Sequence, residues 1–281
     1  MKRNVKIAGK ALNYIFLFLF AYVMIYPFIW MFFSSFKSNA EIFGSVKLLP
    51  SSYSFDAYVK GWVGTGKYTF GLFFKNTLAM VLPTVLFTVL SCSIVAYGFA
   101  RFRFPGKKFF FALMISTLML PNAVIIIPRY LMFNKIGWLN SYLPFIIPAL
   151  FACYPFFIFM LIQFLRGIPR ELDEAATIDG CGSIGIFARI LFPLMKPALF
   201  SAGLFQLMWT WNDFFNPLIY INSVSKYPLS LGMRISLDAA SQVNWNQVMA
   251  MALVTIMPLI IVFFFAQKYF VEGIATSGIK G

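Results

Sequence analysis

Five stretches of this sequence, residues 11–36, 76–100, 109–128, 136–165 and 239–267, contain no Asp, Glu, Lys or Arg, and a sixth, 197–225, contains only Asp213. A bilayer's hydrocarbon core of roughly 30 Å is crossed by about 20 apolar helical residues rising 1.5 Å each. The windows predict six transmembrane helices, over about 12–34, 75–100, 109–128, 142–164, 197–220 and 247–267, in a single membrane domain covering 1–281. A soluble chain with 60% hydrophobic and 11% charged residues could not cover the apolar surface left outside its core. The expected fold class is an all-α membrane protein.

Lys2, Arg3, Lys6 and Lys10 precede the first window, as in a secretory signal, but its 26 uncharged residues are too long for a signal core and no convincing cleavage step follows. It reads as a retained span. With six spans both termini share a side, and that side carries fourteen of the 23 Lys and Arg residues, against nine on the other. The positive-inside rule then places both termini in the cytoplasm of a multi-pass chain in a cell membrane. The net charge of +14 is a topology and headgroup signal, because the aromatics that nucleic acid would stack on lie inside the spans.

Several chemistries are excluded. There is no His to act as metal ligand or general base, no glycine loop ending in Lys-Ser or Lys-Thr for ATP phosphates, and none of Cys92, Cys153 and Cys181 is placed for an outer-face disulfide. No catalytic or metal site is expected, and no cofactor bound by this chain. Pro27, Pro83, Pro121, Pro144, Pro148, Pro155 and Pro258 fall inside or at the ends of spans, as packing kinks or as hinges.

The stretch ELDEAATIDGCGSIG, residues 171–185, holds Glu171, Asp173, Glu174 and Asp179, four of the chain's nine acids, in the loop of about 166–196 between the fourth and fifth spans. Pro169 suits the first position of a short helix, and acids in its first turn meet the positive helix end. Leu172, Ala175, Ala176 and Ile178 give that helix an apolar surface of small residues, and Gly180 ends it in a left-handed conformation. Ser183 can cap a second short helix running through Phe187, Ile190 and Leu191, before Pro193 and Pro197 turn the chain into the fifth span. A ridge of alanines flanked by carboxylates could seat in a partner's groove, or be an amphipathic connector.

The run EAATIDGCGSIGIFARILFPLMKPAL resembles the EAA loop of binding-protein-dependent ABC importer permeases. Glu174, Ala175, Ala176, Asp179, Gly180, Ile190 and Pro193 match that pattern, with Phe192 and Cys181 as mild departures. YPFIWMFFSSFKS, AYGFARFRFPGKK, TLMLPNAVIIIPRYLMFNKIGWLNSYL, WNDFFNPLIY and QKYFVEGIATSGIKG extend the likeness across almost the whole chain, toward the carbohydrate branch related to the maltose-system G permease. The resemblance implies a type I ABC importer permease fold, with the loop as a coupling helix seated in a cytoplasmic ATPase. It also implies a second permease subunit, two ABC ATPase subunits that bind ATP and Mg, an extracellular or periplasmic solute-binding protein, and inward transport of a carbohydrate, in particular an oligosaccharide, across a bacterial or archaeal cell membrane.

Asp213 is the one acid inside a predicted span, 16 residues or about 24 Å beyond Pro197. Ionisable groups at membrane depth commonly face an aqueous cavity. With Trp209, Trp211 and Asn212 beside it, the stretch could stack on and hydrogen-bond a sugar, or form an interfacial Trp belt with Asp213 capping a helix end. The polar loop 222–245 is, by resemblance, the one that reaches toward the binding protein. An ion-coupled secondary transporter would call for more midplane carboxylates or a His, and a non-transport membrane scaffold has no need of the coupling pattern.

Overall fold

The computed structural model describes residues 2–64, 67–238 and 243–277. Those residues are helical and irregular, with no strand. In chain order the helices are α1 (Lys2–Ser34), α2 (Asn39–Gly44), α3 (Asp56–Val63), α4 (Phe70–Arg101), α5 (Lys107–Leu118), α6 (Asn122–Lys135), α7 (Leu143–Leu150), α8 (Pro155–Gly167), α9 (Glu171–Ile178), α10 (Ser183–Ile186), α11 (Phe192–Leu194), α12 (Lys196–Asn212), α13 (Phe215–Tyr220), α14 (Leu229–Asp238) and α15 (Trp245–Ser277). Among the described residues, four segments are long and apolar enough to cross a membrane: Gly9–Ser34, Phe70–Arg101, Leu143–Gly167 and Trp245–Gln267. Two bent pairs, α5 with α6 and 183–194 with α12, bring the number to six if each is one span.

Three expected spans are not straight helices. The third breaks between Leu118 and Asn122 with a bend of 103°. Pro121 sits at the break, and the ring of a proline drives the preceding residue out of the α region. The fourth breaks at 151–154, where Ala152 has a φ of 55° and Tyr154, ahead of Pro155, has a non-helical backbone with φ −120° and ψ 80°. The fifth stops at Asn212, and after Asp213 and Phe214 the short α13 takes over. Pro27, Pro83, Pro128, Pro148 and Pro258 remain inside helices, so proline breaks these helices where it falls at a helix start.

One compact unit comprises 1–71 and 233–257. In it the segment that follows α1 is built rather than loose. Ser38 caps α2 by accepting from the Glu41 N–H at 3.2 Å, and the Glu41 carboxylate accepts from the Ser51 N–H and hydroxyl. Phe36 gathers the rings of Tyr53, Phe55 and Tyr58. Gly61 lies against Met251, where an added Cβ would come within 2.9 Å of the Met251 side chain. α1 exposes a continuous apolar surface, the character of a lipid-facing helix.

The other unit comprises 72–232 and 258–281. Its core joins α4 (Cys92, Ala96, Ala100), α8 (Phe157, Leu161, Leu165) and α12 (Ala198, Leu199, Ala202). The alanines let α4 and α12 approach their neighbours closely, the interface chemistry that membrane helices favour. Ala176, Ile186, Leu191 and Met195 from the loop of about 166–196 are buried in the same core. At the far end of α4, the Asn76 amide donates to the Ser225 and Tyr227 carbonyls. Asn140, with a φ of 53°, accepts from the Asn222 and Ser223 N–H groups, and the Lys226 ammonium donates to its carbonyl. The loop expected over 222–245 is therefore pinned at its start and helical over α14; residues 239–242 of it lie outside the described residues.

Candidate functional site

The helix expected in the acidic island is α9. It begins at Glu171, so Pro169 precedes it by two residues instead of occupying its first position. Glu171, Asp173 and Glu174 occupy the first turn, where acids favour the helix dipole. Gly180 follows with a φ of 80°. The second helix is also present, but its cap is Gly182 and Ser183 is its first residue, with no side-chain cap. The chain then passes through a π-helical turn, Phe187–Leu191, and α11 before bending by 75° into α12.

The two alanines of the island face different ways. Ala176 is buried in the chain's own core, so its small size seats α9 on that core and it offers no docking contact. Ala175 is exposed together with Glu174 and Asp179. Ile190 is half-buried against the core, and Pro193 is exposed at the start of α11. The outermost apolar groups are Ile178 and Ile184, 87% and 85% exposed, one on each side of the Gly180 turn.

The residue that holds this element in place through Asp173 was not among those marked out by the sequence. Arg101, the last residue of α4, brings Nε to 2.6 Å from an Asp173 carboxylate oxygen, with the side chains only 7% and 19% exposed. The contact, to Oδ2, is ionic, for Arg101 Nε makes no hydrogen bond, and the other carboxylate oxygen, Oδ1, is also without a hydrogen-bond partner. Arg101 also donates through Nη2 to the Ile168 carbonyl at 3.0 Å, and Arg170 donates to the Ala100 carbonyl at 3.3 Å. The Tyr97 hydroxyl donates to the Ser183 carbonyl at 3.0 Å. α4 thus grips both helices of the loop. The available signal was the ARFRF run itself, in which one arginine directly ends an apolar span.

Asp213 lies in the break after α12. Its carboxylate accepts from the Asn216 N–H at 3.1 Å and the Asn216 amide at 2.8 Å, and so caps the start of α13. Asp213, Asn212 and Trp209 line a cavity of about 490 Å³ whose wall also includes Arg129, Gln206, Asn216 and Tyr220. Trp209 packs against Phe156 and Phe157 with ring centroids 5.1 Å away. Trp211 does not reach the cavity: it is buried edge-on against Phe74, on the opposite side of the helix. The Asn212 amide donates back to the Met208 carbonyl. The arrangement offers an aromatic wall with several amides, one carboxylate and one guanidinium, suited to a polar uncharged ligand.

The family profile described as "Binding-protein-dependent transport system inner membrane component" matches residues 90–276, from the core of α4 through both sites. The chain belongs to this family. The permease is 35% identical over 274 residues to the probable ABC transporter permease protein YurM of Bacillus subtilis (strain 168), covering 97% of this chain and 89% of that protein. It is 32% identical to the arabinooligosaccharides transport system permease protein AraQ of Halalkalibacterium halodurans, over 93% of each. Among solved structures, a bacterial ABC transporter involved in the import of the acidic polysaccharide alginate has a chain that superposes with a TM-score of 0.83 at 25% identity, covering 94% of the permease and 97% of that chain. The permease is accordingly a multi-pass membrane subunit of an ABC importer. ATP hydrolysis belongs to partner subunits, and such a subunit works with a partner permease, an ATPase and a solute-binding protein.

Gly180 tests the geometry of the loop directly. No atom lies within 4 Å of where its Cβ would be, so a substitution meets only backbone strain. A left-handed conformation costs an ordinary residue about 1–2 kcal/mol. Gly180→Val should lower the melting temperature of the purified complex and its ATPase retention more than Gly180→Ala, while Gly180→Asn, which tolerates this region, stays near wild type.

Proposed function

We propose that the permease forms half of a pathway carrying a carbohydrate, in particular an oligosaccharide, inward across a bacterial or archaeal cell membrane. A solute-binding protein delivers the sugar from outside. A second, different permease completes the pathway, and two ABC ATPases dock on the cytoplasmic side. Both termini and α9 then face the cytoplasm, in keeping with the excess of Lys and Arg there. ATP and Mg act on the ATPase subunits, and this chain takes no cofactor.

The observation that carries this reading is α9 itself: an exposed ridge of Glu174, Ala175, Ile178 and Asp179 on a helix held to the transmembrane core. Closure of the ATPase dimer on ATP would draw such ridges together and swing the attached helices as rigid groups, exchanging outward for inward access. The carbohydrate part draws support from the transport of arabinooligosaccharides and alginate named for two of its relatives, and from the amide-and-indole lining of the cavity.

The test is reconstitution of the complete complex in vesicles with its binding protein. Sugar uptake should require ATP on the ATPase side, and sugar-loaded binding protein should stimulate hydrolysis. Uptake driven by an ion gradient without ATP would establish a secondary transporter instead.

A further inference from the structure

Positive charge gathers where three helix ends meet: α4 ends at Arg101, α5 starts at Lys107 and α8 ends at Gly167. The Lys107 ammonium donates to the Phe102 carbonyl at 2.8 Å, and Arg170 donates to the Ala100 carbonyl at 3.3 Å, so both cations sit at the end of α4. The Arg166 guanidinium lies 5.5 Å from the centre of the Phe111 ring, one turn beyond Lys107 on α5. Lys107 stands in the field of Arg166, Arg170 and Arg103 at once. No carboxylate answers them. The sequence holds no Asp or Glu between Asp56 and Glu171, and the one ion pair among the described residues joins Arg101 to Asp173. Cations suit the last carbonyls of α4, but Lys107 and Lys108 also fill the first turn of α5, where they oppose the helix dipole. Gathering like charges costs free energy that a bound anion removes. Beside the cations, Phe102, Phe104, Phe109 and Phe110 are 42%, 37%, 67% and 50% exposed, so the stretch RFRFPGKKFF pairs positive charge with bare aromatic surface.

We propose that this corner is a binding site for an acidic phospholipid of the cytoplasmic leaflet. Its phosphate sits among Arg103, Lys107, Arg166 and Arg170, and its acyl chains run along Phe109 and Phe110. Basic pockets at helix ends on the cytoplasmic side are suited to such headgroups. A soluble anion would satisfy the cations and leave the aromatic surface bare, whereas a lipid answers both. Arg170 is the residue from which α9 starts. One headgroup therefore ties the α4–α5 corner to the start of the loop that carries α9, and steadies that loop from the membrane side. The inference rests on the reading that places this end of the permease at the cytoplasmic face.

The test uses the complete complex in lipid nanodiscs of phosphatidylcholine, with and without phosphatidylglycerol, and reads bound lipid by native mass spectrometry and stability by melting temperature. Phosphatidylglycerol should bind the wild type and raise its melting temperature; phosphatidylcholine alone, or inorganic phosphate added to it, should not. Lys107→Gln with Arg166→Gln removes two cations and leaves the Arg101–Asp173 pair in place. A basic residue beside acidic lipid contributes on the order of fivefold in affinity, so the pair should lose about 30-fold and each single variant about fivefold. Lys107→Arg with Arg166→Lys keeps the charge and should bind as the wild type does. Lys10→Gln with Lys196→Gln removes the same charge from two other exposed positions and should leave binding near wild type. An equal loss in both Gln pairs would overturn the site in favour of general surface charge. Stabilisation by inorganic phosphate alone would overturn the lipid as its occupant, and so would a wild type that does not prefer phosphatidylglycerol. Sidedness is read separately: a tag ahead of Met1 that protease reaches from outside intact cells overturns the orientation and the leaflet named here, while binding in discs, open on both faces, does not depend on it.

Discussion

Replacing Ile178 and Ile184 together with Asp should strip the ATPase from the complex while leaving the permease inserted and paired. Both side chains stand almost free of their own chain, on either side of a turn whose glycine has a left-handed backbone. In a docked complex they are the groups with most apolar surface to bury, and full burial of an isoleucine contributes about 1.5–3 kcal/mol. A carboxylate in the same groove adds the cost of desolvating a charge. The pair should therefore weaken docking by at least about 100-fold, taking about 1.4 kcal/mol per factor of ten. Co-purification and binding-protein-stimulated ATPase report the loss; Ile178→Val with Ile184→Val should be nearly silent. Glu174→Lys, which changes an exposed charge on the same ridge, should impair docking less. If the doubly substituted permease instead fails to reach the membrane, the isoleucines serve insertion and the docking role is wrong.

How much of this was legible in the sequence depends on the range over which each feature is encoded. The acids of α9 and the Gly180 turn are local devices, readable from spacing alone, and they stand where expected. The direction of each alanine is not local. Ala175 and Ala176 are adjacent and identical in chemistry, and only the packing of α9 on the core sends one inward and the other out. The spans were visible as charge-free windows, but their breaks were not, because Pro121 and Pro155 interrupt helices while Pro83 and Pro258 are absorbed within them. Asp213 drew attention because it is charged. Gln206 and Tyr220 did not, although an amide in an otherwise apolar membrane helix is itself costly enough to mark a site. Arg101 and Asp173 are too far apart in sequence for any local pattern to join them.

That ion pair sets the second large effect. Asp173→Ala should leave the complex assembled and hydrolysing ATP, yet cut sugar uptake severely. Removing one partner of a buried ion pair leaves the other charge uncompensated and costs about 3–5 kcal/mol. Here the strain falls on a junction, since Arg101 ends α4 and Asp173 lies in the first turn of α9. With the pair gone, the bonds from Arg101 to Ile168, Arg170 to Ala100 and Tyr97 to Ser183 still tie the loop to α4. They act on the two flanks of α9 and leave its first turn free to rock. ATPase closure would then move α9 without moving α4, and hydrolysis would become independent of sugar-loaded binding protein. Arg101→Met combined with Asp173→Leu should recover thermal stability, because packed apolar side chains can replace a buried pair without loss. Whether uptake recovers with it decides what the charges are for: recovery means that rigidity alone couples α9 to α4, and a stable but uncoupled double variant means that the Coulombic contact is needed as the helices move. Normal uptake in Asp173→Ala would remove the pair from the coupling path altogether.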